Sequence, residues 1–206
     1  MMRLLLTGFE PFAGRDINTS EAAVRALREH QYDYVALHTA LLPVDRERGP
    51  AALLQAVRTV QPDVVLCLGE AKGRMRVSIE RVAINLLDYR IPDNAGNQVV
   101  DEPIVPNGPA AYFVTLPVRT MLNGVADAGV PAELSLSAGA FLCNQVSYVL
   151  LHELATRQAR CRAGFIHLPL LPEQAAREPV PVPSMSLEVV ERGLQAVVET
   201  LATSQS

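Results

Sequence analysis

The three cysteines are the side chains of this protein best suited to nucleophilic chemistry, and their sequence surroundings differ. Cys143 follows Gly139 in LSLSAGAFLCNQVSYVLLHEL, where a strand pattern changes into a helix pattern. A cysteine in the first turn of a helix lies beside free backbone N–H groups and the positive end of the helix dipole, which stabilise a thiolate. The same N–H groups can bind an oxyanion. Cys143 is therefore the candidate nucleophile, with a buried cysteine on an amphipathic helix as the alternative.

The other two cysteines are weaker candidates for catalysis. Cys67 lies within the apolar run VVLCLG, where burial raises the pKa of a thiol, so we expect a small core residue. Cys161 lies in the polar segment RQARCRAG, whose arginines favour a thiolate but supply no second partner. The number of cysteines is odd and no CxxC pair occurs, which argues against a disulfide framework and a zinc knuckle.

A nucleophilic cysteine needs a base, and the sequence contains four histidines. His152 is nine residues beyond Cys143 on the same predicted helix, rotated by about 180° and displaced by roughly 13 Å, so it cannot reach the thiol. His30 is expected at the solvated end of a helix, and His38 in mid-strand as a core histidine. His167 lies near the end of the strand GFIHL, where ligands gather in parallel α/β sheets, and is preferred over His38.

The group that orients the imidazole of such a histidine is expected to be a carboxylate. Residue types and spacing leave this choice open among several acidic residues in or near predicted loops and strand ends. These candidates are Glu10, Glu70, Glu80, Asp88, Asp93 and Asp101. A solvated surface charge is the alternative for each of them.

The first predicted strand runs into a loop with an unusual composition. In LLLTGFEPFAG, Gly8 and Gly14 bracket a turn that carries Phe9 and Phe12, two of the five phenylalanines of the protein. Glycine-rich loops after strands often bind phosphate, and a nucleotide enzyme is therefore a rival interpretation. Glu10 would repel a phosphate, and the lysine of a P-loop is absent. The loop is better suited to a flat, uncharged ligand.

Strands and helices alternate along the sequence. After the opening leucines, apolar runs predict strands at 35–42, 64–69, 132–139 and 164–171. Helical spacing predicts helices at 19–30, 46–60, 141–157 and 186–202. This alternation predicts an α/β fold, a three-layer sandwich with a mixed, mostly parallel sheet flanked by helices.

Two segments fall outside this alternation. Residues 88–109 are rich in proline, asparagine, glycine and aspartate, which predicts a long irregular loop of the kind that often carries function. The tail at 202–206 is expected to fray.

Composition narrows the class of protein. The 206 residues, 49% hydrophobic and 19% charged, fit a single domain over residues 1–206 with a well-buried core. The net charge is −4 and the basic residues are scattered, so no nucleic-acid partner is expected. The N-terminal apolar run is too brief for a signal peptide, and no later run approaches membrane-spanning length. We therefore predict a cytoplasmic protein with no membrane partner.

Longer motifs resemble the type I pyroglutamyl peptidases. They are TGFEPFAGRDIN, GRMRVSIERVAINLLDYRIPDNAGNQVVDEPI, TLPVR, SAGAFLCN and AGFIHLPLLPEQ, and the resemblance covers about residues 2–200. Members of this family are cysteine peptidases that remove an N-terminal pyroglutamyl residue, an uncharged five-membered lactam, from peptides. The resemblance implies that Cys143 is the nucleophile, His167 the base, and Glu80 of SIERVAIN the third catalytic residue. It also implies a pyroglutamyl thioester intermediate, no metal, no cofactor and a homotetramer.

The same resemblance implies a set of substrate contacts. Phe9 and Phe12 would touch the lactam ring, while Asn18 and the turn around Glu70 and Ala71 would offer backbone atoms to its polar edge. Apolar walls with one or two hydrogen bonds suit an uncharged lactam, in agreement with the composition of the first loop. The alternative for the two phenylalanines is that they fill the core beneath a loop.

The sequence departs from the family pattern at a few positions. Ala13 stands where the family usually has a second glycine, and Ala140–Phe141 replaces the usual Thr–Tyr. Glu70 and Lys72 replace more neutral residues, so the pocket rim is where we expect a difference from the family. Because fold does not determine function, a binding protein without activity is the alternative to an enzyme.

Overall fold

The fold alternates strands and helices over residues 1–204, which a computed structural model describes. The strands are β1 (Met2–Phe9), β2 (Val35–Leu42), β3 (Val64–Glu70), β4 (Val77–Glu80), β5 (Val82–Ile84), β6 (Ala111–Phe113), β7 (Ala132–Ser135) and β8 (Arg162–Leu168). The helices are α1 (Thr19–Arg28), α2 (Arg48–Val60), α3 (Val118–Asp127), α4 (Leu142–Thr156), α5 (Pro172–Ala175) and α6 (Leu187–Thr203).

Six of the strands form one sheet in the order β2-β1-β3-β8-β4-β7. Neighbouring strands are parallel, except that β4 runs antiparallel to β8. Strands β5 and β6 form a separate antiparallel pair. The prediction of a mixed, mostly parallel sheet is confirmed.

The side chains of β1 alternate between two cores, one on each face of the sheet. Leu4 and Leu6 pack with residues of α1, α3 and α6, whereas Leu5 and Phe9 pack with residues of α2 and α4. Each fully buried leucine stabilises the fold by about 1.5–3 kcal/mol. The helices on the two faces complete the three layers predicted from the sequence.

The long apolar runs predict their elements well, and the short elements are missed. Strand β4 has four residues, β5 and β6 have three each, and none was predicted. Helix α3 was also missed, although it follows Pro117, a residue that commonly precedes or begins a helix. The strand predicted at 132–139 ends at Ser135, whose Oγ accepts a hydrogen bond from the amide of Ser137 at 3.3 Å, and Gly139 adopts a φ of 77° in the turn before α4.

Three further expectations have different outcomes. Residues 88–109 contain neither helix nor strand, as predicted. His38 is exposed on β2, the strand at the edge of the sheet, so the expectation of a core histidine is wrong. The tail expected to fray is helical as far as Thr203, where α6 ends, and its last two residues, 205 and 206, lie outside the described residues.

Strand β1 and helix α1 approach each other so closely that Gly8 has no room for a side chain. A Cβ atom at Gly8 would lie 2.5 Å from the carbonyl oxygen of Ser20. Beside this contact, the amide of Phe9 donates a hydrogen bond to Oγ of Ser20 at 2.9 Å. The close approach therefore fixes the end of β1 at Phe9, where the loop of residues 10–18 begins. We call this loop the Phe9 loop.

Replacing Gly8 by alanine is expected to force this strand and helix apart. We expect Gly8→Ala to lower the free energy of unfolding by about 1–3 kcal/mol, the usual cost of overpacking. Urea denaturation followed by circular dichroism measures this change. An unchanged unfolding midpoint would show that the two elements are not held as closely as described.

Candidate active site

A histidine and a glutamate form a buried pair at the centre of the sheet. Nδ1 of His167 on β8 lies 2.8 Å from Oε1 of Glu80 on β4, and the two side chains are 5% and 1% exposed. The antiparallel register places Ser78 opposite His167, which brings the end of β4 beside β8. Because the carboxylate accepts the proton of Nδ1, Nε2 is left free to act as a base.

Arg74 joins this pair from the turn before β4. Its Nη2 lies 3.3 Å from Oε1 of Glu80 and also donates to the carbonyl oxygen of Ser137 at 3.0 Å. The other oxygen of Glu80 is buried and has no hydrogen-bond partner among residues 1–204. The sequence reasoning did not single out Arg74, although it lies only six residues before Glu80 within the motif GRMRVSIER.

Cys143 is the second residue of α4, as the strand-turn-helix pattern predicted. The helix start is fixed by Asn144, whose Oδ1 accepts from the amide of Ile84 and whose Nδ2 donates to its carbonyl oxygen, both at 2.9 Å. The first amides of a helix have no partner within the helix. Cys143 is half-buried and therefore combines a reachable sulfur with free N–H groups beside it.

Gly69 brings the cysteine and the histidine together. It is paired with His167 in the register between β3 and β8, and a Cβ atom on it would lie 2.8 Å from Sγ of Cys143. The sulfur therefore rests on the bare backbone of β3, beside the strand that carries the imidazole. Cys143 and His167 both line a cleft of about 540 Å³.

Burial opposes the effect expected from the helix start at Cys143. Loss of hydration, reinforced by the negative charges of Glu80 and Glu70, raises the pKa of the Cys143 thiol to about 12. Attack by this sulfur requires a base, and His167 lines the same cleft.

The remaining two cysteines do not line the cleft that contains His167. Cys67 is fully buried, as predicted, and burial raises the pKa of its thiol to about 12. Burial, with a contribution from Asp63, raises the pKa of Cys161 to about 11 against the opposing effect of Arg162. Arg162 therefore favours the thiolate of Cys161, as expected, but burial has the larger effect on its pKa.

A small apolar cavity of about 40 Å³ adjoins Cys143. It is lined by Phe9, Phe12, Asn18, Val44, Glu70, Phe141, Leu142 and Cys143. Ala71 lines the larger cleft, and its amide donates to the carbonyl oxygen of Leu168 at 2.9 Å. All five residues that the sequence suggested for substrate contacts thus surround the cysteine.

The side chain of Asn18 has a structural partner of its own. It caps α1 by accepting a hydrogen bond from the amide of Ser20 at 2.9 Å, and it donates to the carbonyl oxygen of Glu10 at 3.2 Å. Asn18 therefore ties the Phe9 loop to the start of the helix.

None of the other candidate bases and carboxylates is paired with His167 or Cys143 in residues 1–204. His152 lies 2.9 Å from the hydroxyl of Tyr112, and His30 contacts Gln195. Glu10 accepts from the amide of Val44, and Asp93 from the amide of Arg46. Asp88 and Asp101 are both exposed, and Asp88 lies on the wall of the cleft.

The side chains and helices of residues 1–204 bear on metal binding and on membrane insertion. Within residues 1–204, no three side chains of histidine, cysteine, aspartate or glutamate are grouped closely enough to hold a metal ion. In the same part of the protein, no helix has both the length and the apolar character needed to span a bilayer.

The sequence is similar to a family of known proteins. A sequence model of the pyroglutamyl peptidases matches residues 2–204, almost the whole chain. The chain belongs to the pyroglutamyl peptidase family. The pyrrolidone-carboxylate peptidase of Vibrio vulnificus is 50% identical over 206 residues, which cover 100% of this chain and 95% of that protein. The Gloeobacter violaceus protein of the same name is 47% identical over 205 residues, with 100% and 99% covered.

Solved structures of this peptidase family share the fold. The crystal structure of pyroglutamyl peptidase I from Bacillus amyloliquefaciens matches with a TM-score of 0.94 at 39% identity, covering 98% of both chains. A mutant pyrrolidone carboxyl peptidase from Pyrococcus furiosus matches with a TM-score of 0.95 at 38% identity, covering 100% of both. The α/β fold of the family is therefore that of this chain.

The geometry predicts selective alkylation of one cysteine. At neutral pH, iodoacetamide should label Cys143 and leave Cys67 unmodified, because only Cys143 combines exposure with a nearby base. His167→Ala should slow the labelling of Cys143 by about tenfold or more at neutral pH. In that variant the labelling rate should rise with pH through the alkaline range, towards the raised pKa of the thiol. Peptide mass spectrometry at timed intervals gives these rates.

His152→Ala is the matched control for this experiment, since His152 is bonded to Tyr112 outside the cleft. It should label at the wild-type rate. Equal rates in His167→Ala and the wild type would mean that the imidazole does not activate the sulfur.

Proposed function

We propose that this protein is a cysteine exopeptidase that removes N-terminal pyroglutamate, or 5-oxoproline, from peptides. The observation that carries the proposal is the Cys143 sulfur at the start of α4, beside a histidine whose Nδ1 is bonded to Glu80 at 2.8 Å. The names of the related peptidases support pyroglutamyl peptides as the substrate class. The proposed catalytic residues are Cys143, His167 and Glu80.

The first chemical step is attack on the pyroglutamyl carbonyl carbon. Nε2 of His167 takes the proton of the Cys143 thiol, and the thiolate forms a bond to that carbon. Glu80 stabilises the imidazolium that results and keeps the ring in the required tautomer. Amides in the first turn of α4 donate hydrogen bonds to the oxyanion of the tetrahedral intermediate.

The second and third steps release the two products. The imidazolium of His167 protonates the leaving amine as the peptide bond breaks, which leaves a pyroglutamyl thioester on Cys143. His167 then removes a proton from water, whose oxygen attacks the thioester carbon. Breakage of the C–S bond releases free pyroglutamate and returns the proton to the sulfur. No metal or cofactor is needed for this sequence.

The lactam binds in the small cavity beside the nucleophile. Phe9 and Phe12 supply apolar walls for the uncharged ring. Backbone atoms near Asn18, Glu70 and Ala71 supply the polar contacts for the lactam N–H and carbonyl groups. A prolyl group has the same ring size but lacks the lactam carbonyl, so it cannot make the same hydrogen bonds.

We also propose that residues 1–206 form a single domain that works in the cytoplasm as a homotetramer. Support for an oligomer comes from large apolar side chains that face solvent in the monomer. Met75, Phe113 and Leu136 are 70%, 70% and 67% exposed. Burying such side chains between subunits would be favourable. The proposed partners are pyroglutamyl peptides. We propose neither a nucleic acid nor a membrane as a partner.

The central test is release of a fluorescent amine from a pyroglutamyl amide by the purified protein. Wild type should turn over the pyroglutamyl amide and not the prolyl amide, and Cys143→Ala should be inactive. A chelator should leave the rate unchanged. Absence of wild-type turnover would overturn the proposed function and favour a binding protein, whereas loss of activity with a chelator would overturn the metal-free mechanism.

The role of Glu80 is tested by Glu80→Gln. A glutamine amide can donate to Nδ1 of His167 and hold the tautomer whose Nε2 carries the proton, which cannot act as a base. We expect kcat on the pyroglutamyl amide to fall by about 10²- to 10⁴-fold. Glu153→Gln, a matched change at a surface ion pair with Arg157, should keep the wild-type kcat. An unchanged kcat in Glu80→Gln would remove Glu80 from the mechanism.

A further inference from the structure

Glu70, one of the departures from the family pattern, has a buried and fully engaged carboxylate. Its side chain is 2% exposed, although it contributes to the walls of both the cavity and the cleft. We propose that the Glu70 carboxylate is a positioning residue that fixes the loop carrying Phe12 and Asn18 around the bound lactam. This inference rests on the proposed function and adds a determinant of substrate affinity to it.

The carboxylate of Glu70 is surrounded by hydrogen-bond donors from three other segments. Oε2 accepts from the amide of Thr19 at 2.8 Å and from Nε2 of Gln174 at 2.6 Å. Oε1 accepts from Nη1 of Arg15 at 3.0 Å. A charged acceptor makes such bonds about twice as strong as neutral ones. Glu70 therefore holds the start of α1, the turn at Arg15 and helix α5 to the end of β3.

A second carboxylate extends the contacts across the cleft mouth. Glu178, after α5, accepts from Nη2 of Arg15, and its Oε2 accepts from Nζ of Lys72 at 2.5 Å. The hydrogen bond from Lys72 is the largest of the effects that together lower the pKa of Glu178. Four side chains thus alternate in charge, in the order Glu70, Arg15, Glu178, Lys72. We call them the rim network.

The rim network is linked to the lactam contacts through the backbone. The amide of Arg15 donates to the carbonyl oxygen of Phe12 at 3.1 Å, so Arg15 and Phe12 belong to one turn. Asn18 immediately precedes Thr19, whose amide Glu70 holds. The network therefore restrains both residues without touching the reacting atoms. Its loss should weaken substrate binding more than it slows the chemical steps.

Glutamine cannot replace glutamate in this network. A carboxylate accepts at both oxygens, whereas an amide accepts at one atom and donates at the other. In Glu70→Gln the NH₂ group would face either Arg15 or the donors of Thr19 and Gln174, which leaves a donor buried without an acceptor. The sequence change that looks most conservative is thus predicted to be harmful here.

The first experiment compares KM with kcat in Glu70→Gln. We expect KM for the pyroglutamyl amide to rise about 10- to 100-fold, with kcat within about threefold of wild type. Labelling of Cys143 by iodoacetamide should not become slower, because the sulfur and His167 lie on other elements and the negative charge of Glu70 is one of the effects that raise the pKa of this thiol. Glu153→Gln is the matched control and should keep the wild-type KM.

The second experiment separates positioning from direct contact with the lactam. If Glu70 acts through Arg15, the effects of Glu70→Gln and Arg15→Met on KM should be strongly non-additive in the double variant. Additive effects would overturn the inference in favour of direct contact. Glu178→Gln removes only the outer part of the rim network and should raise KM by a few-fold. This variant tests the network even if Glu70→Gln does not fold.

The two proposals fail in different ways. Wild-type turnover of the pyroglutamyl amide is measured first, and its absence overturns the proposed function. Wild-type turnover with an unchanged KM in folded Glu70→Gln overturns only the positioning role. A parallel loss of kcat and of Cys143 labelling would also overturn it, because it would show general damage to the site.

Discussion

The hydrogen bond between Nδ1 of His167 and Oε1 of Glu80 is the constraint on which the site depends. It requires β4 to run antiparallel to β8 within a sheet whose other described pairings are parallel. The position of the Cys143 sulfur beside this pair requires Gly69, because a Cβ atom there would lie 2.8 Å from the sulfur. A buried charge of this kind persists only when it is hydrogen-bonded, and Arg74 supplies a second donor.

How much of this site could be predicted varies with the length of the element that carries each residue. Cys143 stands at a clear change from strand to helix spacing, and His167 lies in a long apolar run, so both were found from the residues alone. Glu80 ends a strand of four residues whose pairing direction no local pattern encodes. Only the family resemblance singled it out from the other acidic residues. Arg74 was missed because its role depends on the hydrogen bond to Glu80, and sequence spacing does not reveal that contact.

The pKa values show a second limit of sequence reasoning. Local neighbours suggested a thiolate at the start of α4 and favourable arginines around Cys161, but burial governs both thiols. Burial depends on which helices and loops cover a residue in three dimensions, and these come from distant parts of the sequence. The same holds for Glu70. From the sequence, Glu70 is expected to be a charged residue at the pocket rim. In the structure its carboxylate is buried among donors on Thr19, Gln174 and Arg15.

The raised pKa of the Cys143 thiol affects how readily the sulfur is oxidised when no substrate is bound. Peroxide and other oxidants attack the thiolate much faster than the thiol, and the first product is a sulfenic acid. In the proposed mechanism the buried thiol becomes nucleophilic only while its proton is on His167. The burial that makes the base necessary is therefore also what slows oxidation of Cys143 when no substrate is bound.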